Sequence, residues 1–182
     1  MVVVTLLLVF LLGSVSAIPL ARLARRGDPP ATPVHLEYGP DPDGMFKCGD
    51  KSYSGHEIYL AVQYGINLLV ADQTRGSKSI TPGSCLATYA SPVGQFPQTF
   101  NSSAASQTIV PTSYCPANNM RYDFPLANGL AYNGGPNDTN AGDERVVFFY
   151  RSGDISYDSH PVGYYCGIVT RKGAASNGFV LC

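Results

Sequence analysis

Five cysteines, Cys48, Cys85, Cys115, Cys166 and Cys182, all lie downstream of an apolar leader, and this arrangement constrains the 182-residue chain more than any other feature. The leader is Met1 to Ala17. Its apolar stretch, Val2 to Leu12, precedes Val15-Ser16-Ala17, the small-residue pattern that a signal peptidase accepts. It is too short and wrongly flanked for a stable membrane span. A secreted chain meets oxidising conditions, so disulfides are the expected state of these thiols and metal thiolates are not. None of the five forms a C-x-x-C pair. Five cysteines permit at most two bridges, and composition does not choose among the arrangements. A bridge from Cys48 to Cys182, the two extremities of the downstream region, would close a loop of roughly 130 residues and stabilise by roughly 4–5 kcal/mol in the chain-entropy picture.

Charge divides the chain into segments. Residues 18–26 end in Leu23-Ala24-Arg25-Arg26, a dibasic site of the kind processing proteases cut, which marks 18–26 as a propeptide and Gly27 as the mature start. The whole chain carries 12 Lys plus Arg and 13 Asp plus Glu. Residues 1–26 hold three Arg and no acid, so the remainder has nine basic against 13 acidic residues, a net −4. Residues 27–44 are Pro-rich and acidic (Asp28, Pro29, Pro30, Pro33, Glu37, Pro40, Asp41, Pro42, Asp43) without apolar periodicity, and read as a mobile extended arm. With four of the acids in the arm, residues 45–182 balance at nine against nine. That neutral region is the expected folded domain. A neutral domain gives no support to DNA binding by bulk attraction, and a charged fraction of 14% argues against disorder and coiled coil. No later stretch is apolar for long enough to span a bilayer.

Ser54-Gly55-His56-Glu57 is a capping-box pattern, followed at helical spacing by Ile58, Ala61, Val62, Gly65, Ile66 and Leu69. The spacing predicts one helix over about 55–71. His56 and Glu57 read as first-turn residues of that helix and not as a catalytic pair. Short β-like runs follow between Gly, Pro and Asn clusters: Tyr89 to Phe100, Arg121 to Leu126, Arg145 to Arg151, Tyr164 to Lys172 and Phe179 to Cys182. The nearly continuous apolar runs at 144–150 and 164–169 suit central strands covered on both faces. The expected class is α+β, one N-terminal helix packed on a twisted antiparallel sheet.

Four motifs occur in a particular order: Phe96-Pro97-Gln98, Tyr122-Asp123-Phe124-Pro125, Asp143-Glu144-Arg145-Val146-Val147-Phe148, and Cys166-Gly167-Ile168-Val169-Thr170-Arg171 with Asn177-Gly178-Phe179-Val180-Leu181-Cys182. With Cys at both ends and a helix ahead of the sheet, residues 46–182 resemble the microbial guanyl-specific ribonucleases and their ribotoxin relatives. The resemblance implies disulfides Cys48–Cys182 and Cys115–Cys166, leaving Cys85 over, with Cys85–Cys115 as the competing pair. It implies a reaction in which the RNA 2′-hydroxyl attacks its own phosphate, so the protein supplies a general base, a general acid and donors to the phosphate.

At the family's functional positions this chain has Phe96, Gln98, Asp123, Arg145 and Arg171, and only Arg145 is unchanged from the family pattern. Gln98 exchanges no proton near neutral pH, and Phe96 lacks the phenolic donor. Asp123 is one methylene shorter than the family's Glu, a displacement able to cost on the order of 100-fold. Arg171 replaces the acidic His with a guanidinium that stays protonated. The three histidines, His35, His56 and His160, fall elsewhere. The expectation is a ribonuclease fold without the transesterification reaction. Its cleft is then either a structural ion pair of Asp123 with Arg145 and Arg171, or a phosphate or RNA site using Arg145, Arg171 and Lys172 with Phe96, Phe179 and Tyr122 as stacking platforms.

Asn101-Ser102-Ser103 and Asn137-Asp138-Thr139 are glycosylation sequons. Phe46-Lys47-Cys48 matches the aromatic-x-Cys motif of the ribonuclease-like secreted effectors of fungal plant pathogens. That resemblance implies a secreted, monomeric protein that binds a host protein or RNA and uses neither cofactor nor metal. The competing expectation is a divergent extracellular ribonuclease or ribotoxin, and a third is a secreted structural or defence protein on the same scaffold.

Overall fold

A computed structural model describes residues 31–76, 95–100, 109, 112–116, 121–127, 129, 131–132, 134, 141–175 and 178–182. The leader, the dibasic site, Cys85 and both sequon asparagines, Asn101 and Asn137, lie outside the described residues.

The capping box forms as the sequence predicts. The Glu57 N–H donates to Ser54 Oγ at 3.2 Å, and the Ser54 N–H donates to Glu57 Oε2 at 2.7 Å. Helix α1 (Gly55–Val70) follows and buries Ile58, Ala61, Val62, Gly65 and Ile66 on one side. That side packs on the sheet at glycines. A Cβ at Gly65 would stand 3.0 Å from the Phe148 ring, and one at Gly163 only 2.4 Å from Ile66 Cδ1, so both glycines let the backbones close.

The remaining elements are strands: β1 (His35–Glu37), β2 (Met45–Cys48), β3 (Lys51–Ser54), β4 (Gln98–Thr99), β5 (Arg121–Pro125), β6 (Glu144–Ile155), β7 (Pro161–Thr170) and β8 (Val180–Leu181). β2 and β3 form a separate hairpin, and the main sheet runs β1-β7-β6-β5-β4, with β8 also paired to β7. Its pairings are antiparallel except β1 on β7, which is parallel. The class is therefore one helix on a mixed sheet.

The expected mobile arm is the main correction. Of residues 27–44, Val34 is a core residue, and His35 to Glu37 pair with Val162 to Tyr164. The helix holds the segment in place. Tyr59 Oη donates to Val34 O at 3.2 Å, and the side-chain amides of Gln63 and Asn67 donate to Thr32 O at 3.0 and 2.9 Å. Further on, the Gly55 and His56 N–H groups donate to Gly44 O and Pro42 O, so the same segment satisfies first-turn donors of α1. A Pro-rich composition signals extended backbone, and an extended backbone meets a sheet edge as readily as solvent. The folded unit thus begins upstream of residue 45.

The disulfides are Cys48–Cys182 and Cys115–Cys166, with Cα atoms 4.8 and 5.7 Å apart. This is the pairing that the resemblance implies. Opposite Cys166 the register slips, because Val147 pairs Gly167 while Phe148 pairs Tyr165. The bulge takes Cys166 out of the ladder at the residue that bonds Cys115.

Candidate functional site

Alternation along β5 and β6 makes two different faces. Tyr122, Phe124, Val146 and Phe148 belong to the apolar core under α1. The residues between them, Arg121, Asp123, Arg145 and Val147, are all buried, and Val147 joins Phe100, Ile109, Cys115, Val169 and Phe179 in a smaller cluster. Buried charge on this second face is the candidate site.

Asp123 is 1% exposed. It sits opposite Gln98 in the β4–β5 ladder, and Gln98 Nε2 donates to Asp123 Oδ2 at 3.1 Å. Burial pushes the Asp123 carboxyl up to a pKa of about 6, against the opposing pull of Arg145, the Gln98 hydrogen bond and Arg171. Arg145, 2% exposed, extends Nη1 to the carbonyls of Ala141 and Glu144 at 2.9 and 2.8 Å, and its guanidinium carbon lies 4.8 Å from the Phe96 ring centroid. Burial lowers its pKa, with Asp123 opposing that shift and the like charge of Arg171 adding to it. Among the described residues, Asp123 Oδ1 and Arg145 Nε have no hydrogen-bond partner. Arg171 is exposed, at the end of β7, with its guanidinium carbon 5.2 Å from the Phe179 centroid.

Contacts and charge coupling therefore link all six residues singled out from the sequence, Phe96, Gln98, Asp123, Arg145, Arg171 and Phe179. Their assigned roles change in two respects. Phe96 and Phe179 are 1% and 6% exposed; the first packs edge-on against Phe124 and Tyr132, and the second is tilted against Phe100. A base cannot stack on a ring whose faces are occupied by the core and by a guanidinium. Tyr122 likewise belongs to the helix side, stacked on Phe148 with centroids 6.0 Å apart. Arg171 is then the one exposed cation of the six, and its neighbour Lys172 is in an ion pair with Asp50.

Arg121 is the residue that motif reading passed over. It is 1% exposed and donates to three carbonyls, Pro116 O and Cys115 O at 2.6 Å and Ile109 O at 3.2 Å. This cation holds the backbone at Ile109, Cys115 and Pro116 over the face. Its signal was available in the sequence, since Tyr122 and Phe124 on one side of a strand put Arg121 and Asp123 together on the other. A second buried charge, Glu144, accepts from Lys51 at 3.0 Å and ties β3 to the start of β6.

Of the three histidines, His35 lines and His160 flanks a different cavity, at the β6–β7 turn. His56 is at the start of α1, with its ring 6.4 Å from that of Tyr59. Neither the cavity at the β6–β7 turn nor a second one beside Cys115 and Cys166 contains Gln98, Asp123, Arg145 or Arg171. Also among the described residues, no three His, Cys, Asp or Glu side chains group as a metal site, and no helix is long and apolar enough to cross a membrane. No protein-family model matches the chain, and no curated protein matches it.

Proposed function

We propose that this chain is a secreted ribonuclease-like protein that has lost transesterification and acts by binding a host protein, in the manner of the ribonuclease-like effectors it resembles. One observation carries the loss of chemistry. Asp123, at the position where that family places its base, is sealed from solvent and accepts a hydrogen bond from the amide of Gln98, a group that cannot relay a proton. The disulfide pairing and the convergence of the six motif residues support the ribonuclease-like reading. Burial of Phe96, Phe179 and Arg145 favours a protein over RNA as the partner, because RNA recognition needs exposed stacking rings and cations.

A second reading rests on a specific observation. A buried carboxyl with a pKa near 6, within the field of two arginines, has the poise a general base needs near neutral pH. The two readings separate in a ribonuclease assay of the chain from Gly27 onward. The proposal expects no cyclic-phosphate product and none gained or lost on Asp123→Asn, with activity appearing in the triple variant Gln98→His/Asp123→Glu/Arg171→His. Cleavage by the wild type that disappears in Asp123→Asn supports the enzyme instead. Steeply salt-dependent RNA binding, lost in Arg145→Ala/Arg171→Ala, would move the partner from protein to RNA.

A further inference from the structure

At the far end of the sheet, β1, β7 and the β6–β7 turn enclose an open cleft of about 510 Å3, lined by His35, Glu37, Ser156, Tyr157, Asp158 and Tyr164 together with Ile155 and Val162. Its size suits a small-molecule site. None of the residues of the charged cluster takes part.

The turn is built to display a side chain. The Ser156 N–H donates to His160 O at 2.8 Å, the His160 N–H to Ser156 Oγ at 3.1 Å, and the Ser159 N–H to Ser156 O at 2.9 Å. Ser159 takes a φ of +65°, an uncommon conformation outside glycine. Tyr157, at the tip, is nevertheless completely exposed. A loop with this many internal hydrogen bonds needs no tyrosine for its own stability, and a free ring on a fixed loop is a contact surface.

The polar lining is specific in kind. His35 Nε2 lies 3.0 Å from Glu37 Oε1, and His160 Nδ1 lies 2.7 Å from Asp158 Oδ2, which also leaves Asp158 accepting from Ser156 Oγ. Each carboxylate is thus positioned by a neighbour and keeps free lone pairs. Among the described residues no Lys or Arg lines the cleft, so a phosphate, sulfate or nucleic acid finds no fixed cation there. A cationic ligand has to compete with imidazoles already beside both carboxylates. A vicinal diol fits better, since one hydroxyl donates to a carboxylate while its neighbour donates to the imidazole nitrogen that faces away from that carboxylate. Tyr157 and Tyr164, the latter leaning on Phe149 with centroids 5.6 Å apart, supply flat apolar faces for the C–H side of a sugar ring.

We propose that this cleft binds a neutral saccharide, one or two pyranose units of a glycan. The test is an NMR titration of the disulfide-bonded chain from Gly27 onward with four neutral trisaccharides, those of N-acetylglucosamine, β-1,4-glucose, β-1,3-glucose and mannose. Trilysine and a heparin trisaccharide serve as cationic and anionic comparators. The expected result is saturable binding of at least one neutral trisaccharide with shifts confined to β1 and the β6–β7 turn. Tyr157→Ala then weakens it at least about tenfold, and Glu37→Gln or Asp158→Asn weakens it several-fold. Tyr157 packs on nothing, so the variant folds, and an unchanged spectrum elsewhere verifies that. The proposal is overturned if no neutral trisaccharide binds below about 10 mM, if binding is indifferent to Tyr157→Ala, or if trilysine or the heparin fragment binds the cleft more tightly.

Discussion

The two faces of β5 and β6 are built from the same run of residues and are stabilised in opposite ways. Toward α1 stand Tyr122, Phe124, Val146 and Phe148, whose burial is favourable without any particular partner. Away from α1 stand Arg121, Asp123 and Arg145, each of which loses hydration on burial and must recover it from specific atoms. Each nitrogen of Arg121 finds a carbonyl, whereas Arg145 Nε and Asp123 Oδ1 find no partner among the described residues. The difference teaches where to look for function. The helix face specifies the fold, and the opposite face adds to the structural cation Arg121 two buried charges, Asp123 and Arg145, that the described residues leave incompletely satisfied.

The largest expected effect is on the helix face. Phe148 is fully buried against α1 and in contact range of Gly65, so Phe148→Ala should cost about 3–5 kcal/mol in urea unfolding. A cost below about 1 kcal/mol would mean that this core does not hold the sheet to the helix. Arg121→Met should cost somewhat less, about 2–3 kcal/mol, because the three carbonyls it leaves can regain water if the backbone at 112–116 moves outward. Hydrogen exchange should accelerate at the amides of residues 112–115 beyond any global change while α1 keeps its protection. Uniform acceleration would show that the two faces unfold as one unit and erase the distinction drawn between them.

How far the sequence foretold this structure depended on whether a signal was local. The capping box and its apolar spacing located α1 to within a residue at its end, because helix formation depends on neighbours three and four apart. Nearly continuous apolar runs marked β6 and β7 as central strands. β1 and the β2–β3 hairpin were missed for a physical reason. All three strands are only three or four residues long, and β1 pairs with a strand more than a hundred residues away while α1 side chains hold the residues just before it. The candidate site was legible as a set of residues, since motif order brought Gln98, Asp123 and Arg145 into view. Burial was not legible there. Nothing in Phe96 or Phe179 as letters says whether a ring faces solvent or the core, and both face the core.

Asp123 gives the smallest effect and the sharpest division between the two faces. Its carboxyl has a pKa near 4 in an unfolded chain and about 6 in the fold, so the native state binds its proton more tightly. The stability this contributes is complete below pH 4 and is lost as the pH rises through 6; above that, the fold contains a buried anion. Two pH units correspond to about 3 kcal/mol, and Asp123→Asn removes the titration while keeping an acceptor for the Gln98 amide. The variant should therefore be more stable than the wild type by about 2 kcal/mol at pH 7, with the advantage vanishing near pH 4. Urea unfolding at pH 4, 5.5 and 7 measures it. A wild type that is the more stable at pH 7 would mean that Arg145 and Arg171 hold the carboxylate ionised as a structural ion pair, and that the second face is scaffold like the first. If the variant instead gains stability and loses its partner, the buried carboxylate is retained for binding at a cost in stability, as expected of a functional position.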